Sequence, residues 1–327
     1  MGQMKKNLKY NLIWLALVIA GYLALYISYS AGMVNLFLDN ILVQIGINII
    51  LAVGLNLIIG FAGQFSLGHA GFMAIGAYAA ALISMSNPTY AGFFLGMAVG
   101  VVLAGAVAVI VGIPTLRLTG DYLAIATLGV AEIIRILIIN MKDITNGPSG
   151  IFGILPFVDW QMVYGFMAVT TLIVVNYIHS GAGRATMAIR EDEIAAESMG
   201  VNTTKYKVIA FAIGAMTASV AGALYAGYLQ SIAPKDFAFT KSIDILIMVV
   251  LGGIGSVTGS FIAAILLGII NMYLQDFGAL RMIIYALALI ILMIFKPGGL
   301  LGTKELSVKK LFRKFKKGDD QNASIGN

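Results

Sequence analysis

The sequence predicts an all-α polytopic membrane protein, a bundle of about ten transmembrane helices with both termini cytoplasmic. Three observations carry that expectation. Of 327 residues, 60% are hydrophobic and 11% charged, against roughly 25% charged in a soluble globular chain, so too few polar side chains remain to cover a water-facing surface. No Asp, Glu, Lys or Arg occurs between Asn40 and Leu116, and only lipid or other apolar helices can solvate so long a stretch. The apolar runs each persist for about 20 residues instead of alternating, which favours helices over barrel strands. The 38 glycines fit the same class, because small residues let membrane helices approach closely.

Taken in order, residues 1–9 are basic and residues 10–30 apolar, a run too long for the hydrophobic part of a cleaved signal peptide, so a retained first span is expected. Polar breaks then delimit spans at about 38–61, 66–86, 91–113, 119–140, 160–179, 206–230, 240–255, 257–275 and 278–295, lengths set by bilayer thickness. Glycines crowd the connection at 252–259, which leaves a re-entrant or broken helix open there. With the N-terminus inside, 16 of the 21 Lys and Arg residues fall on the cytoplasmic side, as the positive-inside rule requires. The transmembrane domain is expected over residues 1–303, with a cytoplasmic loop at about 180–207. Residues 304–327 form a basic tail that either lies on an anionic lipid surface or is simply solvated.

Several chemistries are excluded. There is no cysteine, so disulfides, thiolate metal sites and cysteine nucleophiles are absent. Two histidines, His69 and His179, are too few for a histidine-rich metal centre, and no acid or nucleophile accompanies His69 in sequence. Neither a metal, a cofactor, a catalytic residue nor a nucleic-acid partner is expected. The glycine-rich loop that cradles nucleotide phosphates, Gly-x-x-x-x-Gly-Lys-Ser/Thr, does not occur, so this chain is not expected to hydrolyse a nucleotide itself.

Polar residues inside the apolar runs mark candidate functional positions. Gln44, Asn48 and Asn56 share about a third of the second span's circumference at about 100° per residue, and either line a path or hydrogen-bond between helices. Gln64 and Ser66 sit among Gly60, Gly63, Gly68 and Gly71 at a predicted turn. Glycine there allows tight bending and close helix contact, or a polar turn dipping toward the route. Asp121, Glu132 and Arg135 lie in or near the fifth span, where ionisable groups are costly unless paired or hydrated. Glu132 and Arg135, three apart, share a helical face and can neutralise each other; Arg117 and Asp121 have the analogous four-residue spacing.

The longest polar insertion, residues 179–207, centres on Arg190, Glu191, Asp192 and Glu193, followed by Ala195, Ala196 and a closing Gly200. Acids at the start and glycine at the end are helix start and stop signals, so a short helix outside the bilayer is expected. Its apolar residues Ile189, Ala196 and Met199 face either the protein's own spans or a partner.

This segment resembles the coupling loop of ABC importer permeases, in which Glu-Ala-Ala, three residues and Gly dock into a cleft on the ATPase. Ala195, Ala196 and Gly200 match; Ile194 stands at the glutamate position, with Glu193 one residue early. A longer resemblance runs over about residues 40–302. Residues 54–71, GLNLIIGFAGQFSLGHAG, are similar to the signature region of branched-chain amino acid ABC transporter permeases. GDYLAIATLG at 120–129 with Glu132 and Arg135, and TNGPSGI at 145–151, resemble the LivM-type subunit rather than its LivH-type partner. LGGIGS at 251–256 and KPGGL at 296–300 fit the same family.

The resemblance implies a permease subunit of the bacterial or archaeal cytoplasmic membrane, working with ABC ATPase subunits, a second, LivH-type permease and an extracytoplasmic solute-binding protein. Branched-chain or related aliphatic amino acids are the implied solute, with urea or short amides as the alternative within the class. An ion-coupled secondary transporter is the competing class. It would be expected to keep carboxylates near the bilayer midplane, and the charge-free stretch from Asn40 to Leu116 weighs against it. A membrane enzyme lacks paired acids, a metal cluster or a nucleophile motif.

Overall fold

Small residues decide how the central helices meet. In the computed structural model, which describes residue 16, residues 18–273, isolated positions between 280 and 294, and residues 298–302, the first helix is α1, Val18–Ser30. It belongs to one unit of the chain, and Asp39–Thr303 forms the main body. The body contains α2 (Leu36–Asn56), a π-helical turn (Leu57–Phe61), α3 (His69–Ser86), α4 (Tyr90–Thr115), α5 (Asp121–Asn140) and the single turn α6 (Lys142–Thr145). It continues through β1 (Ile151–Phe152), α7 (Trp160–His179), α8 (Gly181–Glu191), α9 (Glu193–Ser198), α10 (Thr203–Leu229), β2 (Ser231–Ile232), α11 (Phe239–Gly252) and α12 (Val257–Tyr273).

α3, α4 and α10 are the most closely packed trio. A Cβ at Gly76 of α3 would collide with the backbone of Ser219 in α10, and one at Gly222 of α10 with the carbonyl of Met73 in α3. Gly96 and Gly100 of α4 abut Ala80 and Gly76 in the same way. This is the small-residue packing by which membrane helices gain van der Waals contact without a hydrophobic driving force between them. α2 is buried along most of its length and crosses α10 where Gly54 meets Thr217 and Gly214. By contrast, α4, α5 and α7 carry Leu103, Ile110, Ile125, Ile133, Leu172 and Ile173 on exposed faces, a surface suited to lipid or to another membrane helix.

Among the described residues, six helical segments are long and apolar enough to cross a membrane: Leu36–Phe61, His69–Ser86, Tyr90–Thr115, Asp121–Asn140, Trp160–His179 and Thr203–Leu229. They coincide with the second to seventh expected spans. Of the first expected span the described part is the 13-residue α1. The expected tenth span and the basic tail fall largely or wholly outside the described residues.

The eighth and ninth expected spans depart from simple crossings. α11 has 14 residues and α12 has 17, so α11 is only about 21 Å long against a hydrocarbon core of about 30 Å. The glycines cause the break: Gly253 and Gly255 adopt φ of 119° and 86°, conformations that side-chain-bearing residues avoid. The backbones of Gly252 and Gly259 then cross in direct contact. The free C-terminal carbonyls of α11 are satisfied by the segment 298–302, whose Leu300 N–H donates to Leu251 O (2.8 Å) and Leu301 N–H to Gly252 O (3.3 Å). The glycine motif at 251–256 and the described residues 298–302 therefore meet in one elbow.

Candidate functional site

Two features stand out from the apolar body: a polar seam under the α11–α12 elbow, and the helix pair α8–α9 that contacts it. The seam begins at Asn56, the last residue of α2, which is fully buried. Its amide donates to Ser256 O and Ser260 Oγ (both 2.8 Å) and accepts from Gly255 N–H (2.8 Å). One side chain thus ties α2 to the loop of the helix break and to the first turn of α12. A buried amide held by three partners is a strong constraint, because each group it satisfies would otherwise be left unpaired in a low-dielectric interior.

From Asn56 the chain runs through the π-helical turn into residues 62–68. Gly60 fits only because it lacks a side chain: a Cβ would meet Asn56 Oδ1 and Gly255 N. Gln64 is 2% exposed and neither of its amide atoms has a hydrogen-bond partner, while Ser66, also buried, accepts from Gly68 N–H at 3.3 Å. Thr127 of α5 accepts from Leu67 N–H (3.0 Å) and Ser242 of α11 from Ala70 N–H (3.1 Å). The loop is therefore a junction of α2, α3, α5 and α11, and Gln64 is an unsatisfied polar group inside it.

α8 and α9 are folded by their own caps. Ser180 accepts from Gly183 N–H and Asp192 from Ala195 N–H (3.1 and 3.0 Å). α9 ends in a Schellman motif, with Val201 N–H donating to Ala196 O and Gly200 N–H to Glu197 O while Gly200 takes φ of 83°. Where one surface helix was expected there are two, because Asp192 leaves the helical region (φ −157°, ψ 110°) to cap the second.

The pair is anchored on one face only. Ile189 and Ala196 are buried at 4% and 6% exposure, whereas Ile194 and Met199 project at 79% and 84%. Lys207 of α10, itself buried, places its ammonium 2.6 Å from both carboxylate oxygens of Glu193. Arg190 reaches inward: Nη1 donates to Gly60 O at 2.7 Å, while Nε and Nη2 engage Glu191. The carbonyl it reads belongs to the π-helical turn, and the same guanidinium stands 3.3 Å from where a Cβ on Gly255 would lie. A single arginine therefore contacts the surface helices, the seam loop and the elbow.

The other predicted site residues divide. Asn56, Gln64 and Ser66 converge in the seam. Gln44 is exposed and Asn48 half-buried, so the stripe expected on α2 is not uniformly turned inward. Glu132 and Arg135 form the expected pair within α5, at 2.8 and 2.7 Å and about one-third exposed, with no hydrogen bond to the seam. Asp121 is exposed at the first position of α5, where an acid suits the helix N-terminus. Its expected pairing with Arg117 does not form among the described residues. Gly120, at φ of 59°, interrupts the helix between them, so the four-residue helical spacing does not apply. Sequence reasoning missed Lys207, Ser242 and Ser260; each meets a partner too remote along the chain for any periodicity to relate them.

A body of long apolar helices with buried polar junctions is a polytopic, all-helical membrane protein. The chain belongs to the family described as branched-chain amino acid transport system / permease component, whose model matches residues 37–295. It is 36% identical over 263 residues to the high-affinity branched-chain amino acid transport system permease protein LivM of Escherichia coli strain K12, covering 70% of this chain and 61% of that one. A probable branched-chain amino acid transport permease protein LivM of Methanocaldococcus jannaschii is 24% identical over 271 residues, 72% of this chain and 77% of its own. The LivH permease of Escherichia coli strain K12 is 31% identical over 152 residues, 46% of this chain and 48% of its own. The chain thus spans about three fifths of the LivM relatives from Escherichia coli and Salmonella typhimurium. No solved structure is a significant match.

Proposed function

We propose that this chain is a permease subunit of an ATP-binding-cassette importer, LivM-like, that carries branched-chain or related aliphatic amino acids across the bacterial or archaeal cytoplasmic membrane. Family membership supports the class. The observation that carries the mechanism is the one-sided anchoring of the α8–α9 pair: Lys207, Ile189 and Ala196 fix its inner face while Ile194 and Met199 stand free on the outer one. A capped helix with isolated apolar anchors on a polar surface suits insertion into a groove on a partner, here the ATPase subunit.

In this reading both termini are cytoplasmic, about ten spans cross the bilayer, and a LivH-like second permease completes the path. An external binding protein delivers the solute. Force applied to α9 passes through Arg190 to the Gly60 carbonyl and so to the turn holding Gln64 and Ser66, beside the elbow held by Asn56. Gln64 is the best-placed path-lining group, because its unpaired amide can exchange partners without breaking an existing bond. ATP serves only the partner; this chain needs no cofactor.

The test is uptake of radiolabelled leucine, isoleucine and valine into vesicles containing the subunits that co-purify with this chain. Uptake should depend on internal ATP and on loaded binding protein, and should survive an ionophore. Uptake that collapses with an ion gradient and ignores ATP would defeat the proposal.

A further inference from the structure

At the end of α10 remote from α9, a cavity of about 340 Å³ opens among residues that the coupling mechanism leaves unused. Tyr225 and Leu229 on its wall lie five and more helical turns beyond Lys207, roughly 27 Å along the axis at about 1.5 Å per residue. The frame is rigid. β1 and β2 pair antiparallel, Ile151 with Ile232 and Phe152 with Ser231, and Ile154 N–H donates to Gln230 O at 3.1 Å. Gly150, at φ of 80°, sits so close that a Cβ would strike the Ile232 carbonyl. Asn146 Nδ2 closes the adjoining turn on Gly150 O at 2.9 Å.

The wall carries both signs of charge side by side. Lys235 is exposed and forms no ion pair among the described residues. Asp236 uses Oδ2 to accept from Ala233 N–H at 2.9 Å, while Oδ1 has no hydrogen bond among the described residues and Lys241 acts on the same carboxylate through its charge. Leu229, Ile232 and Phe152 supply an apolar side to the same cavity. A purely anionic ligand would meet the Asp236 carboxylate and a purely cationic one the Lys235 ammonium, whereas a zwitterion satisfies both. The volume lies at the small end of ligand sites.

We infer that this pocket, framed by β1, β2 and the turn Pro234–Phe237, is a reception site for one small zwitterionic amino acid: carboxylate to Lys235, ammonium to Asp236, aliphatic side chain toward Leu229 and Ile232. The inference rests on the importer reading, and it assigns to the outer mouth of this subunit a recognition role separate from the seam.

The test uses the full chain with its co-purifying subunits in lipid nanodiscs, without binding protein, and titrates L-leucine by saturation-transfer NMR. Wild type is expected to bind leucine and to discriminate by about tenfold or more against leucinol, which lacks the carboxylate, and 4-methylpentanoate, which lacks the ammonium. Lys235→Met should weaken leucine about tenfold and abolish discrimination against leucinol alone. Asp236→Asn, which keeps an acceptor for Ala233 N–H, should abolish discrimination against 4-methylpentanoate alone. A merely structural loss would lower binding of all three ligands together, and that result overturns the assignment. If both variants bind and take up leucine as wild type does, the pocket falls while the importer reading stands. If wild-type vesicles take up no branched-chain amino acid, both fall.

Discussion

The ammonium of Lys207, buried at the start of α10, sits 2.6 Å from both carboxylate oxygens of Glu193, the first residue of α9. The pair spans the junction between the membrane body and the surface helix, and its two members differ in exposure: the Lys207 side chain is 11% exposed and the Glu193 side chain 39%. Removing the acid therefore strands a cation that water cannot easily reach. Glu193→Gln should destabilise the protein by about 1–2 kcal/mol, below the cost of breaking a fully buried pair, because water partly screens the carboxylate. Thermal unfolding in detergent checks this; exchanging the two residues should recover most of the loss, and an unchanged midpoint for Glu193→Gln would remove the anchor from the account.

Gly200 has open space where a Cβ would go, so its constraint is conformational and not steric. Gly200→Leu should cost about 1 kcal/mol through the left-handed backbone and, on the proposed importer reading, uncouple ATP hydrolysis from uptake while membrane levels stay normal. Gly200→Asn, which tolerates that backbone, should keep most of the coupling. Comparing transport per ATP for the two variants in vesicles decides it.

Arg190 holds Gly60 O and Glu191 through one guanidinium, a geometry an ammonium cannot reproduce. In Arg190→Lys the charge remains and the fork is lost. On the proposed importer reading, uptake should fall by about tenfold while ATP hydrolysis by the co-purifying subunits persists. Parallel loss of both activities would point to failed assembly instead.

Asn56→Leu removes a donor and an acceptor at once from a fully buried site, leaving Gly255 N–H without its partner. The expected cost is about 2–4 kcal/mol. Limited proteolysis and amide exchange should both detect early opening of residues 253–259; protection equal to wild type would show that the elbow holds without it.

Glu132 and Arg135 pair within one face of α5, a helix long and apolar enough to cross a membrane. Reversing either charge alone places two like charges beside each other and should lower the yield of folded protein. The double swap should restore it. Gel filtration of the three variants gives the answer, and failure of the swap with each single variant folded argues against a pair that acts as a unit.

The six long helices were legible in sequence because hydrophobic length is a local property: residues 40–116 announce their environment without any knowledge of the fold. The Glu132–Arg135 pair was legible for the same reason, three residues apart on one turn. The cap-rich segment 190–200 could be read as helical, since Asp192 and Gly200 act on their own neighbours. What could not be read were relations across the chain. Asn56 and Ser256 are 200 residues apart, Arg190 and Gly60 are 130 apart, and no periodicity links a donor to an acceptor at such separations. The Arg117–Asp121 expectation failed because one glycine changed the geometry on which the spacing rule depends.

The contact between α3 and α10, where Gly76 and Gly222 leave no room even for a methyl group, has a mechanical meaning. Two rods whose main chains touch have no lubricating layer of side chains that could re-pack as they slip. They must travel together, like a keyed shaft. Any opening and closing of the subunit is then confined to joints that retain slack: the glycine elbow after α11, and the turn at Gln64, whose amide is still looking for a companion.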